Sequence, residues 1–76
     1  MRTEKFIMER ENLVQVGDEV EIIERVGPSN YHYIIEPAVA MSGCYQERER
    51  IKSTKGIVSQ IDETPRGFYV VVEFDE

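Results

Sequence analysis

The chain has 76 residues, and its 15 acidic and 9 basic side chains give a formal charge of −6. This balance argues against the broad positive field on which most nucleic-acid-binding proteins depend, and a hydrophobic fraction of 41% fits a folded domain rather than a disordered chain. The length allows one small domain with a small core, so pairing as a homodimer would add stability by burying further apolar surface.

The first eleven residues contain no turn residue and only a loose apolar pattern. Phe6, Arg10, Leu13 and Val14 fit a helical stripe poorly, and chain ends fray unless they dock on a domain. We therefore predict a flexible or weakly ordered arm over residues 1–11, followed by a β-barrel domain over residues 12–76.

Two strands are predicted in the next part of the chain. After the turn Val16-Gly17-Asp18-Glu19, the apolar residues Val20, Ile22 and Val26 alternate with Glu19, Glu21 and Glu24, which is typical of a half-buried strand. Gly27-Pro28-Ser29-Asn30 predicts a stop. The segment Tyr31–Ile35 is rich in aromatic and β-branched residues and predicts a second strand that ends near Pro37.

Residues 37–50 allow two interpretations. Val39-Ala40-Met41 could continue a strand, or Ser42-Gly43 could cap a helical turn from Cys44 to Glu49. We favour an irregular loop with one helical turn.

The remaining residues predict a hairpin. A third strand is expected over Ile51–Asp62, with a bulge or bend at Gly56. After the turn 63–67, alternation in Phe68–Phe74 predicts the strongest strand, and we expect it to pair with Lys55–Asp62. About five short strands without a long helical stripe predict an all-β fold, a small antiparallel barrel whose closure removes exposed edges.

Three segments resemble the strand signatures of SH3-like barrels: Val16–Ile23, Lys55–Ile61 and Phe68–Asp75. The nearest subtype is the KOW-type barrel, in which a Gly-Asp-x-Val strand precedes a Gly-x-Val-x-x-Ile strand. About thirty residues separate these two segments here, where that family has a short loop. The resemblance implies an SH3-like fold and, for the KOW type, binding to RNA or ribosomal partners.

One segment, residues 48–55, stands out by charge, because it holds four cations and one carboxylate and so carries +3. It could contact phosphate or an acidic partner, or it could solvate an edge strand and pair with neighbouring acids. The four tyrosines could line the aromatic groove with which SH3-like barrels bind peptides, or they could pack the core. The predicted partner-binding residues are Tyr31, Tyr33, Tyr45, Arg48, Arg50, Lys52 and Lys55.

The sequence contains no recognisable catalytic or metal-binding motif. His32 has Glu36, Cys44 and Glu47 as conceivable partners, but no pair has the spacing of a known motif. A structural role is therefore expected for His32, and Cys44 is expected to be a small buried or half-buried residue. The acidic residues lack the spacing and glycine of a calcium-binding loop. We expect no cofactor and no metal.

Two further patterns indicate the cellular compartment and the relation to membranes. No apolar run approaches the ~20 residues that cross a membrane, and no signal-peptide core follows Met1; a lone cysteine gives no internal disulfide. We predict a cytoplasmic, non-enzymatic module for protein–protein interaction or regulation that does not bind membranes. The alternative is a KOW-type nucleic-acid-binding module that uses residues 48–55.

Overall fold

The computed structural model describes residues 1–10, 13–36 and 40–76. Within them, segments of alternating apolar and polar residues form six strands. They are β1 (Arg2–Met8), β2 (Glu19–Val26), β3 (Tyr31–Glu36), β4 (Ala40–Ser42), β5 (Lys55–Thr64) and β6 (Gly67–Phe74). The strand order is β1-β4-β3-β2-β5-β6, and β6 pairs with β1 to close the barrel. Neighbouring strands are antiparallel. The predicted all-β small antiparallel barrel is confirmed.

One face of each strand fills the interior. Val70, Val72 and Phe74 of β6 are fully buried, and the ring of Phe74 lies 6.3 Å from that of Phe6. The predicted alternation of this last strand is therefore confirmed, and Val70, Val72 and Phe74 lie on its inward face. The core also includes Met8, Val14, Val20, Ile22, Tyr33, Ile35, Ala40, Ile51 and Val58.

The amino-terminal segment differs from the predicted arm. It forms β1, which pairs with β6 from Arg2↔Phe74 to Met8↔Phe68, so the barrel begins at Arg2 and not at residue 12. The inward positions of β1 are Arg2, Glu4, Phe6 and Met8, of which only the last two are apolar. Two charged residues at inward positions hid the period-two pattern. Residues 11 and 12, where the predicted arm met the predicted domain, lie outside the described residues.

The predicted hairpin ladder between the last two strands is confirmed, and it runs from Ile57↔Glu73 to Thr64↔Gly67. The predicted strand over Ile51–Asp62 is corrected, because β5 begins only at Lys55. Residues 51–54 precede it and are held by side chains described below.

The predicted irregularity at Gly56 occurs three residues later, because the register shift lies between Val58 and Gln60. Gly56 instead faces the crowded interior. A Cβ at this position would lie 2.5 Å from Val72 Cγ1 and 2.8 Å from the carbonyl oxygen of Glu73. Glycine is thus required here by close packing.

The segment between β3 and β5 forms both a short strand and a helical turn, so each of the two interpretations describes part of it. Ala40–Ser42 form the short strand β4, and Glu47–Glu49 form one turn of 3₁₀ helix. Residues 37–39 lie outside the described residues. Across the residues that the structure describes, no helix is long and apolar enough to cross a membrane.

Candidate functional site

An open cleft of about 570 Å³ lies between β2, β3 and the segment 47–54. Three cations and two carboxylates line it, so the cleft carries +1 on a chain that carries −6. Its aliphatic lining residues are Ile22 and Ile51, which are otherwise buried in the core. The lining residues are Ile22, Glu24, Tyr33, Glu47, Arg48, Arg50, Ile51, Lys52, Ser53 and Thr54.

Glu24 is the central acceptor of the cleft wall. Arg50 donates to both of its oxygens, from Nε to Oε2 at 3.0 Å and from Nη2 to Oε1 at 2.6 Å. The guanidinium also lies 4.5 Å from the centroid of the Tyr31 ring. The hydrogen bond from Arg50, more than any other favourable contact, lowers the pKa of Glu24. Arg50 is thus already neutralised within the chain.

Tyr33 joins the segment 50–54 to the barrel. Its ring is buried, and its hydroxyl donates to Glu24 Oε2 at 2.8 Å while it accepts the backbone N–H of Ile51 at 2.8 Å. Burial, followed by the hydrogen bond to Glu24, raises the pKa of Tyr33. The hydroxyl therefore stays protonated, and its role is to hold the wall in place.

Tyr45 packs behind Tyr33, with ring centroids 5.7 Å apart and a tilted geometry. Its backbone exchanges two hydrogen bonds with Tyr31, and its hydroxyl donates to Glu4 Oε1 at 2.7 Å. Burial, assisted by Glu4, raises the pKa of Tyr45 strongly. Of the two interpretations for the tyrosines, core packing describes Tyr33, whereas Tyr31 and Tyr45 are partly buried and pack against the core, Tyr31 beside Arg50.

Arg2 and Glu76 hold residues 49–53, the outer wall of the cleft, in place through hydrogen bonds. The Arg2 guanidinium donates to the carbonyls of Glu49 and Arg50 and to Glu76 Oε1 at 3.0 Å. Glu76 in turn accepts the backbone N–H groups of Lys52 and Ser53 and the Ser53 hydroxyl. Desolvation raises the pKa of Glu76, but the hydrogen bonds led by those from Ser53 outweigh it and lower the pKa overall.

Sequence reasoning missed the four charged residues that build this wall: Arg2, Glu4, Glu24 and Glu76. The available signal for two of them was their spacing, because Arg2 and Glu4 continue the alternation of Phe6 and Met8 toward the barrel end. Their mutual ion pair, at 2.6 Å, explains why charge is tolerated at inward positions. Glu24 likewise continues the alternation of the buried residues Val20 and Ile22, whereas no local pattern marks Glu76.

The remaining predicted site cations fall into two groups. Arg48 and Lys52 are exposed, line the cleft and form no salt bridge within the described residues. Lys55 is also exposed, but it begins β5 opposite Glu21 and does not line the cleft. Four of the predicted site residues therefore line the cleft: Tyr33, Arg48, Arg50 and Lys52. Tyr31 and Tyr45 lie next to it, against Arg50 and Tyr33 respectively.

Comparison of the chain with protein-family models, with curated proteins and with solved structures gives no match. The side chains of the cleft therefore decide what it can bind. The cleft offers two cations that form no salt bridge within the described residues, Arg48 and Lys52, together with the aliphatic side chains of Ile22 and Ile51 and backbone groups held by Glu76.

The other candidate residues lie apart from this cleft. His32 is half-buried on β3 opposite Arg25. Cys44 is exposed, which corrects the expectation of a buried or half-buried residue; the next residue, Tyr45, is partly buried and packs against the core. Within residues 1–10, 13–36 and 40–76, no three His, Cys, Asp or Glu side chains are grouped so that they could hold a metal ion. Tyr69 lies on the outside of the barrel, with Lys5 Nζ 5.7 Å from its ring centroid.

Proposed function

We propose that this chain is a non-enzymatic, cytoplasmic interaction module of the SH3-like type, and that its cleft binds an extended acidic segment of another protein. The observation that carries the proposal is the pair of exposed cations, Arg48 and Lys52, at the rim of the cleft. Neither has an ion-pair partner within the described residues. An acidic partner would supply one.

The charge distribution supports a local contact rather than long-range attraction. The chain as a whole is negative and repels an acidic partner at a distance. Attraction therefore acts only within about a Debye length of the rim, ~10 Å at moderate salt. Such a contact favours specificity over fast association, as expected of an accessory module that recognises one partner.

The size of the cleft supports a peptide rather than a whole protein face. Ligand clefts commonly measure about 300–1,000 Å³, and this one is about 570 Å³. It can take a few consecutive side chains: carboxylates near Arg48 and Lys52, and one apolar group near Ile51. The wall is held by Arg2, Tyr33 and Glu76, so little ordering is needed on binding.

The KOW-type alternative has less support. Nucleic-acid affinity grows with the number of phosphates that cations neutralise, and Arg50 is already paired with Glu24. Arg48, Lys52 and Lys55 remain, and they face a chain with a net charge of −6. Three cations under these conditions give only weak phosphate binding.

The proposal is tested by NMR titration of the ¹⁵N-labelled chain with a synthetic peptide of alternating Glu and Leu. Saturable shifts are expected at the amides of Ile51, Ser53 and Thr54, and they should be lost in the variant R48E/K52E. The matched control is R66E, an exposed cation in the β5–β6 turn, which should bind as the parent chain does.

A titration without saturable shifts would refute the proposal, and so would an equal loss of binding in R66E. A single-stranded oligonucleotide serves as the second probe. If it shifts the same amides more strongly than the peptide and its binding falls steeply with salt, the nucleic-acid alternative replaces the peptide proposal.

A further inference from the structure

A row of apolar side chains crosses the outside of the barrel over four neighbouring strands. The strand register places Ile7 of β1 opposite Met41 of β4, Met41 opposite Ile34 of β3, and Ile34 opposite Ile23 of β2. Directly opposed residues project on the same face of a sheet, so these four side chains are neighbours. We call them the outer row.

Most of the outer row is exposed to solvent, and burying these apolar side chains against another surface would be favourable. Ile7, Met41 and Ile23 are 47%, 48% and 40% accessible, and Ile34 is half-buried. Single exposed apolar side chains are ordinary on protein surfaces, but a contiguous set marks an interaction surface. At about 4.8 Å per strand, the row is ~14 Å long.

Opposite charges flank the outer row on its two sides. His32 lies opposite Arg25 on one side, and Glu36 lies opposite Glu21 on the other. Lys5, two residues before Ile7, falls on the side of His32 and Arg25 according to the same register. One flank therefore carries the cations Lys5 and Arg25, and the other carries Glu21 and Glu36, with Lys55 of β5 next to Glu21 in the register.

We propose that two copies of this chain associate through the outer row, with the two-fold axis running along it. Such an axis exchanges the two flanks, so Arg25 meets the partner's Glu21, and His32 meets the partner's Glu36. A two-fold axis across the row would instead place like charges together. The charge pattern thus selects both the occupant, a second copy, and its orientation.

The surface is small for a protein interface, which normally buries about 800 Å² on each partner. The dimer is accordingly weak, with a dissociation constant on the order of micromolar or above. This inference does not depend on the cleft. Ile23 projects outward while its neighbour Glu24 contributes to the cleft wall, so each surface can be changed without the other.

Sedimentation velocity over protein concentrations from about 1 µM to about 1 mM tests the dimer. The parent chain should show concentration-dependent dimerisation. R25E and E21R should each raise the dissociation constant at least about tenfold, because each places like charges in contact. The double variant R25E/E21R should return it to within about threefold of the parent value, since each reversed charge meets its reversed partner.

M41D and R66E complete the design. M41D should abolish dimerisation while circular dichroism and the peptide titration of the cleft remain unchanged, and R66E should dimerise normally. A parent chain that stays monomeric throughout, or a double variant that associates no better than the single variants, overturns the proposal. A working dimer with an inactive cleft, or the reverse, separates this inference from the proposed function.

Discussion

Removal of one hydroxyl group, in Tyr33→Phe, tests how the cleft wall is held. The substitution leaves the buried ring and its contact with Tyr45 in place. It removes the acceptor of the buried Ile51 N–H and the donor to Glu24, each at 2.8 Å. Glu24 keeps both hydrogen bonds from Arg50, so the main loss falls on Ile51.

The expected cost follows from that unpaired amide. A buried polar group left without a partner costs about 1–3 kcal/mol, so Tyr33→Phe should lower the free energy of unfolding by about 2 kcal/mol. In a domain of this size, 1 kcal/mol shifts Tm by about 4–8 °C, and Tm should therefore fall by about 10 °C. That is a large fraction of a total stability of about 4–11 kcal/mol.

Chemical and thermal unfolding followed by circular dichroism measure this cost, and hydrogen exchange of the Ile51 amide locates it. The matched control is Tyr69→Phe, which removes the same atom from a tyrosine on the outside of the barrel, beside Lys5. That control should change stability by less than about 0.5 kcal/mol. If the two variants lose equal stability, or if exchange at Ile51 is unchanged, Tyr33 does not hold the wall.

Three further perturbations test the barrel and its acid sensitivity. Gly56→Ala should destabilise the chain by about 1–3 kcal/mol in urea unfolding, because its Cβ would meet the Glu73 carbonyl at 2.8 Å; Gly43→Ala, with open space around it, should be nearly neutral, and equal effects would contradict this packing. Phe6→Ala should cost about 3–5 kcal/mol or prevent folding, whereas a change near zero would mean that β1 is not part of the barrel. The pKa values of Glu24 and Glu76 are lowered by folding from 4.5, so their stabilisation is present above that pH and should be lost as pH falls through the folded-state values. A double variant with glutamine at both positions should show a shallower acid-induced loss of stability, and an unchanged profile would refute that assignment.

The extent to which the fold could be predicted depended on how visible the alternation was. Phe68, Val70, Val72 and Phe74 follow period two without interruption, so both the strand and its inward face were predictable. In β1 the same inward positions begin with Arg2 and Glu4, whose ion pair and contact with Tyr45 occur only after closure. Tertiary pairing there overrides what local composition indicates.

The candidate site was predictable in composition but not in its internal pairing. The tyrosines and the basic segment do meet around one wall, since Tyr31, Tyr33 and Arg50 all contact Glu24 or one another. Glu24, the partner of Tyr33 and Arg50, belongs to β2 and lies 26 residues before Arg50, so no local pattern reveals their salt bridge. For the same reason the sequence alone does not distinguish Arg50, which is paired with Glu24, from Arg48, which forms no salt bridge within the described residues.

The most direct test of the proposed function is site-specific photo-crosslinking in cells, with the probe amino acid placed at Thr54 in the cleft or at Arg66 in the distant turn. A protein-binding cleft should give a discrete adduct with an acidic protein from position 54 and none from position 66. The adduct should disappear when R48E/K52E is added to the probe chain. Equal adducts from both positions, or an adduct from position 54 that survives R48E/K52E, would contradict the assignment of the cleft as the partner-binding site.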